Sequence, residues 1–194
     1  DDFRAGIAPL QDAGKLAGLL FQFPQAFKNT GFHRHFLATI ARQFRDLVVA
    51  IEFRDCSWAQ DRVFTFLEDY GLALVAVDEP PLRSLFPRLP VATSDVGYVR
   101  FHSRNGANWY ASARDRYDYC YSDAELREWL PLFEVIARRA RKLFVFFNNC
   151  HKGNAALKAK AMQALLNPST GSARPRAHLR SCDDSHVGRP LADE

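Results

Sequence analysis

Residues 50–58 read AIEFRDCSW. Side chains alternate between the two faces of a β-strand, so Ile51 and Phe53 share one face while Glu52 and Arg54 share the other. Two opposite charges on one face, near the end of the strand, are unusual for a hydrophobic core. The pattern therefore indicates a strand with one packed face and one charged face.

Five strand-like segments alternate with amphipathic segments along the chain. Phe32, Phe36, Ile40 and Phe44 recur every four residues, which predicts a helix with an apolar face, and residues 122–125 form a capping-box pattern that opens a later helix. Strands separated by helices at this spacing predict parallel βαβ units and an α/β fold. The predicted strands cover residues 17–24, 47–54, 72–79, 97–102 and 142–149.

In every predicted strand, the alternate residues of one face are polar near the C-terminal end. The alternate residues of the other face are apolar enough to pack against helices. In a (β/α) barrel the inward face fills the lumen, and active sites form where the C-terminal ends of the strands meet the following loops. We therefore expect one barrel mouth to collect the side chains of Gln22, Glu52, Arg54, Asp78, Arg100, His102 and Asn148.

Composition limits the class of protein. The 194 residues are 47% hydrophobic, enough for one domain with a substantial core, and the net charge of +4 mildly favours anionic partners. This charge is not the dense basic stripe of a dedicated nucleic-acid-binding protein. The four cysteines are widely spaced and include no CxxC pair, which argues against a zinc site or a disulfide framework and favours reduced thiols in a cytoplasm.

The two ends of the chain have few sequence features typical of a globular domain. No apolar run approaches the length of a membrane span, and the first ten residues lack the pattern of a secretory signal. Residues 167–194 are polar, mixed in charge and without hydrophobic periodicity, so we predict a disordered tail after a barrel domain at 1–166. Because Met162 is the only methionine, we expect the chain to be processed or a fragment.

Six motifs occur in the order found in a known family. They read GLLFQFP (18–24), AIEFRDCSW (50–58), VAVDEPP (75–81), YVRFHSRNGANWY (98–110), YDYCYSDAELREW (117–129) and FVFFNNCHKGNAALKAKAMQALL (144–166). The order resembles the YecE-like family, domain of unknown function 72, from about Gly18 to Leu166. The resemblance implies an eight-stranded TIM-type barrel of about 250 residues. We therefore expect this chain to match the C-terminal two-thirds of the family, lacking its N-terminal strands, and to form a partial barrel with about five of eight parallel strands.

Three residues are candidates for catalysis. Glu52 beside an arginine suits an acid or base whose pKa the guanidinium sets, and a structural ion pair is an equal alternative. Asp78 ends its strand and suits a base or a metal ligand, although a turn residue bonded to backbone gives the same pattern. His102, the only His at a strand end, suits a proton carrier, with a satisfied polar core residue as the alternative.

Ligand-binding candidates come from three features. Guanidinium groups bind phosphate or carboxylate in a bidentate manner. The segment FNNCHKGN (147–154) places amides and a glycine at a helix N-terminus, where barrel enzymes often bind phosphate and where ordinary caps also occur. Aromatic residues of the loop at 103–121 offer stacking faces or pack the loop onto the barrel. The predicted binding residues are Gln22, Arg54, Arg100, Asn105, Tyr110, Asn148, Asn149 and Gly153.

Three functions stay open at this point. The first is an enzyme that acts by acid–base chemistry on a polar, anionic small molecule bearing phosphate or carboxylate. The second is metal-assisted phosphoester hydrolysis on nucleic acid. The scarcity of His at the strand ends disfavours it, although the missing strands could add ligands, and apart from the alternative role of Asp78 no metal-binding residues are assigned. The third is a binding module without catalysis, or an inactive truncated product. The sequence does not identify a cofactor, a substrate or an oligomeric state.

Overall fold

A parallel β-sheet forms the centre of the molecule. The computed structural model describes residues 2–167, and in it each strand hydrogen-bonds to the next one along the chain. All four pairings are parallel, which confirms the α/β class and the partial barrel. The strands are β1 (Leu19–Gln22), β2 (Val49–Glu52), β3 (Ala73–Asp78), β4 (Val96–Phe101) and β5 (Lys142–Phe147).

Helices supply three of the four crossovers between parallel neighbours, and a loop without a helix joins β3 to β4. α3 packs on β3, and both α6 and α7 pack on β5. The capping box predicted at 122–125 is present, since Ser122 and Glu125 bond each other's backbone at the start of α5. The helices are α1 (Asp2–Asp12), α2 (Gly31–Gln43), α3 (Asp61–Asp69), α4 (Ala113–Tyr117), α5 (Asp123–Arg127), α6 (Leu130–Ala137) and α7 (Asn154–Leu166), with single 3-10 turns at Cys56–Trp58 and His151–Gly153.

The predicted apolar face of β2 lies in the core. Ile51 and Phe53 are buried, and the Phe53 ring stacks on Trp58 with centroids 4.2 Å apart. This stack joins the larger of two hydrophobic clusters, which extends to α2 and α3. The second cluster lies under α5, α6 and α7, around Phe101 and Trp129. The helix-facing side of the sheet therefore supplies most of the burial.

The predicted apolar stripe of α2 is only half correct. Ile40 and Phe44 are buried, whereas Phe32 is 79% exposed and Phe36 is 45% exposed. A four-residue spacing drifts by about 40° per step around a helix with 3.6 residues per turn, so four such positions cannot all face one core. The buried face of the helix also takes Leu37 and its neighbours.

The sheet is open at both edges. Within the described residues β1 pairs with β2 alone and β5 pairs with β4 alone, so the five strands form a half-barrel. At the N-terminal ends of the strands the inward face forms a small apolar cavity of about 100 Å³, lined in part by Leu20, Tyr98 and Phe146. No helix in the described part of the chain has the length and apolar character needed to cross a membrane.

Two predictions about the chain ends and the cysteines have different outcomes. From position 168 onward, the predicted tail lies outside the residues that the structure describes. The domain boundary at 166 therefore stays a prediction. Cys56 and Cys150 carry free thiols, whereas Cys120 is disulfide-bonded, so the expectation of fully reduced cysteines is wrong at Cys120.

Candidate active site

The register of the sheet decides which side chains share the inward face. Gln22 lies beside Glu52 across β1 and β2, and Arg100 lies beside Val77 across β3 and β4. Since alternate residues of a strand share a face, the residues two positions further on continue that face past the strand ends. Glu52, Arg54, Glu79, Arg100 and His102 therefore meet at the C-terminal edge.

Glu52 is the centre of this cluster. Its side chain is closed to solvent, its Oε2 atom lies 2.5 Å from Nη1 of Arg100, and its Oε1 atom lies 3.1 Å from Nη2 of Arg54. Burial alone would raise the pKa of Glu52, but the hydrogen bond from His102 and the charges of both arginines outweigh burial and lower the pKa to about 2. Glu52 is therefore a carboxylate at neutral pH.

His102 lies behind Glu52 and is equally buried. Its Nε2 atom lies 3.1 Å from Oε1 of Glu52, and its Nδ1 atom lies 3.2 Å from the side-chain nitrogen of Asn148. With the amide as donor, Nδ1 accepts a hydrogen bond and Nε2 carries the proton that it donates to Glu52. Burial lowers the pKa of His102 to about 4, against the opposing effect of Glu52, so the ring is neutral at neutral pH.

Glu79 is a member of the cluster that the sequence patterns did not reveal. Its Oε1 atom accepts a hydrogen bond from Nη1 of Arg54 and lies 3.9 Å from Nε2 of His102. Its Oε2 atom is buried and has no hydrogen-bond partner among the described residues. Burial raises the pKa of Glu79 to about 8, and the nearby carboxylates of Glu52 and Asp78 add to this rise while Arg54 opposes it.

Asp78 does not face the mouth, and the prediction that it does is wrong. It pairs with Phe101 and lies on the helix-facing side of the sheet. Arg104 binds both of its oxygens, at 2.9 and 2.8 Å, and the Tyr121 hydroxyl and Trp129 indole also donate to it, at 3.0 and 2.5 Å. Both faces of β3 are apolar, so its alternating pattern does not show which residues face the mouth. An error of one residue in that assignment exchanges the two faces of the strand.

The other predicted binding residues fall into two groups. The structure brings Gln22, Arg54, Arg100 and Asn148 to the cluster; Gln22 accepts a bond of 2.7 Å from Arg100. Tyr110 lies at the edge of the site, 61% exposed, with its hydroxyl 3.0 Å from Ser84.

The remaining predicted binding residues shape loops. The backbone nitrogen of Asn105 donates to the hydroxyl of Ser103 in a turn. Asn149 is buried and donates to the carbonyl of Tyr119 at 2.7 Å, and Gly153 takes a positive φ of 77° just before α7. None of these three contacts is with the cluster.

A cavity of about 280 Å³ opens beside the cluster, and we call it the mouth cavity. The indole of Trp109 lies between two guanidinium groups, with its ring centroid 5.7 Å from Arg54 and 5.4 Å from Arg116. Arg116 was not predicted, because its loop has no periodicity that would place it. The lining residues are Gln22, Pro24, Gln25, Arg54, Leu85, Trp109, Tyr110, Arg116 and Tyr117.

A second cavity, of about 590 Å³, shares the lining residue Leu85 with the mouth cavity, and we call it the loop cavity. The connection between β3 and β4 builds most of it. Glu79 lines this cavity together with three arginines, Arg83, Arg88 and Arg104. The Arg54–Glu79 pair therefore contributes one residue to each cavity, Arg54 to the mouth cavity and Glu79 to the loop cavity.

The matching family model is described as "Protein of unknown function DUF72", and it covers residues 1–180. The chain belongs to the DUF72 family. The match extends beyond the expected limits at Gly18 and Leu166, so the expectation that only that segment resembles the family is wrong. The expected correspondence to the C-terminal two-thirds of the family is also not supported, because the family match spans nearly the whole chain.

Relatives of this DUF72 chain include a curated protein and solved structures. UPF0759 protein YunF of Bacillus subtilis (strain 168) is 31% identical over 191 residues, which cover 91% of this chain and 67% of YunF. A crystal structure of a DUF72 family protein from Thermotoga maritima MSB8 has a TM-score of 0.81 at 38% identity, covering 86% of this chain and 64% of that one. A DUF72 structure from Enterococcus faecalis V583 has a TM-score of 0.79 at 33% identity, covering 85% and 64%. The chain thus spans about two-thirds of the length of these relatives.

The DUF72 cluster also contains a set of groups with the chemistry of metal ligands. Glu52, Glu79 and His102 each offer one ligand atom, and the three atoms lie within 4.8 Å of one another. Arg54, however, already donates to both carboxylates, so its guanidinium fills the position between them. A metal ion there would have to displace the positively charged guanidinium of Arg54. The cluster therefore gives no specific support to metal-assisted phosphoester hydrolysis.

Proposed function

We propose that this DUF72 chain belongs to an enzyme that acts by acid–base chemistry on a polar, anionic small molecule, with Glu79 as the group that transfers the proton. The observation that carries the proposal is the position of Glu79, a buried carboxyl group with one oxygen bonded to Arg54 and the other without a partner in the described chain.

The position of the proton on Glu79 follows from its contacts. Oε1 accepts a hydrogen bond from Arg54, so in the protonated acid the hydrogen is on Oε2. A buried hydroxyl without an acceptor costs free energy, and a ligand atom that accepts from it would recover that cost. A general acid works best when its pKa is near the working pH, and the raised pKa of Glu79, about 8, meets that condition.

The surroundings of Glu79 support an anionic ligand. Glu79 lines the loop cavity, whose volume of about 590 Å³ falls in the range of small-molecule sites. Arg88 and Arg104 are bonded to carboxylates, whereas Arg83 has no ion pair among the described residues. Arg83 can therefore meet a phosphate or carboxylate group without losing a partner.

Glu52 and His102 have a supporting role in this proposal. Glu52 binds Nη2 of Arg54 while Glu79 binds Nη1, so Glu52 fixes the arginine that orients Glu79. His102 is neutral, and its Nε2 atom lies 3.9 Å from Glu79. A pKa of about 2 makes Glu52 a weak base, so its contribution is electrostatic.

Exchange of carbon-bound hydrogen for deuterium tests this function without a known product, because the ionised fraction of Glu79 would remove the proton from carbon and the resulting carboxylic acid, after exchange with solvent, would return a deuteron. The protein is incubated in deuterated water with sugar phosphates and hydroxy acids, and exchange is followed by proton NMR. We expect exchange with at least one compound, and a loss of about 10²-fold or more in Glu79→Gln. The exposed Glu134→Gln serves as the control and should keep the wild-type rate. Full exchange in Glu79→Gln, or none across the panel with the wild-type protein, would contradict the proposal.

A further inference from the structure

The mouth cavity contains a cation that the cluster does not neutralise. Arg54 and Arg100 are both held by carboxylates, at Glu52 and Glu79. Arg116, in contrast, has no carboxylate within ion-pair distance in the part of the chain that the structure describes. Its Nε atom donates to the carbonyl of Trp109 at 2.5 Å, which fixes the direction of the side chain.

The contacts of Arg116 leave its terminal nitrogens available. The guanidinium carbon lies 5.4 Å from the ring centroid of Trp109 and 5.9 Å from that of Tyr117. Aromatic contacts of this kind hold the plane of the guanidinium without using its hydrogens. The side chain is therefore oriented before any ligand arrives, and its two terminal nitrogens, which have no hydrogen-bond partner within residues 2–167, can bind an anion in a bidentate manner.

The rest of the lining is suited to hydroxyl groups. Gln22 uses its oxygen to accept from Arg100, which leaves its NH₂ group as a donor. Gln25 uses its NH₂ group to donate to the carbonyl of Ser84, which leaves its oxygen as an acceptor. A hydroxyl group both donates and accepts, so a ligand with several hydroxyls can use both amides. The face of Tyr117 can pack against the carbon side of such a ligand.

The size of the cavity limits the ligand. Its volume of about 280 Å³ is near the lower end of the range of small-molecule sites, about 300–1,000 Å³. That space suits a compound of five or six carbons with one anionic group.

We propose that the mouth cavity is a binding site for a small phosphorylated or carboxylated sugar, with Arg116 binding the anionic group and the amides of Gln22 and Gln25 binding the hydroxyls. This site lies in a different cavity from the one that Glu79 lines, so the inference goes beyond the proposed function and does not require Glu79 to transfer a proton. Arg116 is here a ligand-binding residue, and its loss should affect affinity rather than the protonation of the cluster.

Calorimetric titration with four probes tests the proposal, using ribose 5-phosphate, ribonate, ribose and inorganic phosphate. We expect ribose 5-phosphate or ribonate to bind more tightly than inorganic phosphate and ribose, and the tighter of the two to identify the anionic group. Arg116→Gln should weaken that binding at least tenfold. Arg114→Gln, on the same helix and exposed, should leave it unchanged.

The outcomes separate the two proposals. Equal losses in Arg114→Gln and Arg116→Gln would show attraction by net charge alone and would overturn the site, as would unchanged affinity in Arg116→Gln. Absence of binding by both anionic sugars would also overturn it. Glu79→Gln should still bind the sugar. Binding by the wild-type protein without proton exchange on any compound of the panel would contradict the proposed catalysis and leave the binding site intact. Thermal melting of both arginine variants checks that they remain folded.

Discussion

The Nε2 atom of His102 lies 3.1 Å from Oε1 of Glu52, with both side chains closed to solvent. A neutral ring and an ionised carboxylate share this hydrogen bond, and the carboxylate also holds two guanidinium groups. Burying a charge is costly unless it is paired and hydrogen-bonded, and here every contact of the carboxylate is with a donor. The Glu52–His102 pair therefore holds the other side chains of the cluster in position.

Removing the charge of Glu52 should destabilise the fold. Glu52→Gln leaves both Arg100 and Arg54 without a carboxylate, because Glu79, with a pKa of about 8, is mainly neutral at pH 7. Breaking a buried ion pair from one side costs about 3–5 kcal/mol, so we expect a loss of that order in the free energy of unfolding at pH 7. The folded pKa of about 2 is below the ordinary 4.5, so this stabilisation is present above pH 4.5 and is lost as pH falls toward 2.

Urea denaturation of Glu52→Gln and wild type at pH 7 and pH 3 measures this effect. The difference between the two proteins should shrink at the lower pH. A variant as stable as the wild type at pH 7 would show that Glu52 does not hold the two arginines.

Glu79 should make stability fall with rising pH. Its folded pKa of about 8 lies above the ordinary value of 4.5, so the stability linked to its neutral form is complete below pH 4.5 and is lost as pH rises through 8. Glu79→Gln cannot ionise, so we expect it to lose less stability than the wild type between pH 5 and pH 8. Thermal melts at both values test this, and parallel pH profiles for the two proteins would count against a raised pKa.

Asp78 should act as a structural anchor on the helix-facing side. Asp78→Asn removes the charge that Arg104 binds through both oxygens and disturbs the bonds from Tyr121 and Trp129. We expect the free energy of unfolding to fall by about 3 kcal/mol or more, with sugar binding by the folded fraction unchanged. Asp69→Asn, at an exposed position on α3, is the control and should change little. Loss of binding without loss of stability would place Asp78 in the site instead.

The open edges of the sheet should cause self-association. Unpaired backbone groups along β1 and β5 are accompanied by exposed apolar side chains, with Leu20 37% exposed and Phe146 47% exposed. We expect dimers or larger species in size-exclusion chromatography, and less association in Phe146→Glu than in Leu157→Glu, which alters an exposed residue on α7. A monomer at all concentrations, with β1 and β5 amides strongly protected from hydrogen exchange, would contradict this.

Alternation along the strands predicted part of the site correctly, and the reason is physical. On β2 and β4 one face is apolar and the other polar, so the parity of Glu52, Arg54, Arg100 and His102 could be assigned. β3 is buried on both faces, so its sequence contains no such contrast, and Asp78 was chosen instead of Glu79.

Side chains that depend on loop geometry were beyond the sequence patterns. Arg116 lines the mouth cavity and donates to the backbone of Trp109, a contact between the short helix α4 and a loop residue that no periodic spacing predicts. α1 was also not predicted, because the segment Asp2–Asp12 has no buried residues and contains a proline. Parallel pairing, by contrast, was predicted from the alternation of strands and helices, although a loop joins β3 to β4.

The titration of the Glu79 carboxyl group tests the central claim most directly. Carbon-13 NMR of the side-chain carboxyl carbons, with the Glu79 signal identified by its loss in Glu79→Gln, gives the pKa of this group in the folded protein. We predict a midpoint well above 4.5 and near 8, because burial outweighs the attraction of Arg54. A midpoint at or below 4.5 would show that Glu79 is an ordinary ion-pair partner of Arg54 at neutral pH, and it would contradict the role of Glu79 as the proton-transferring acid.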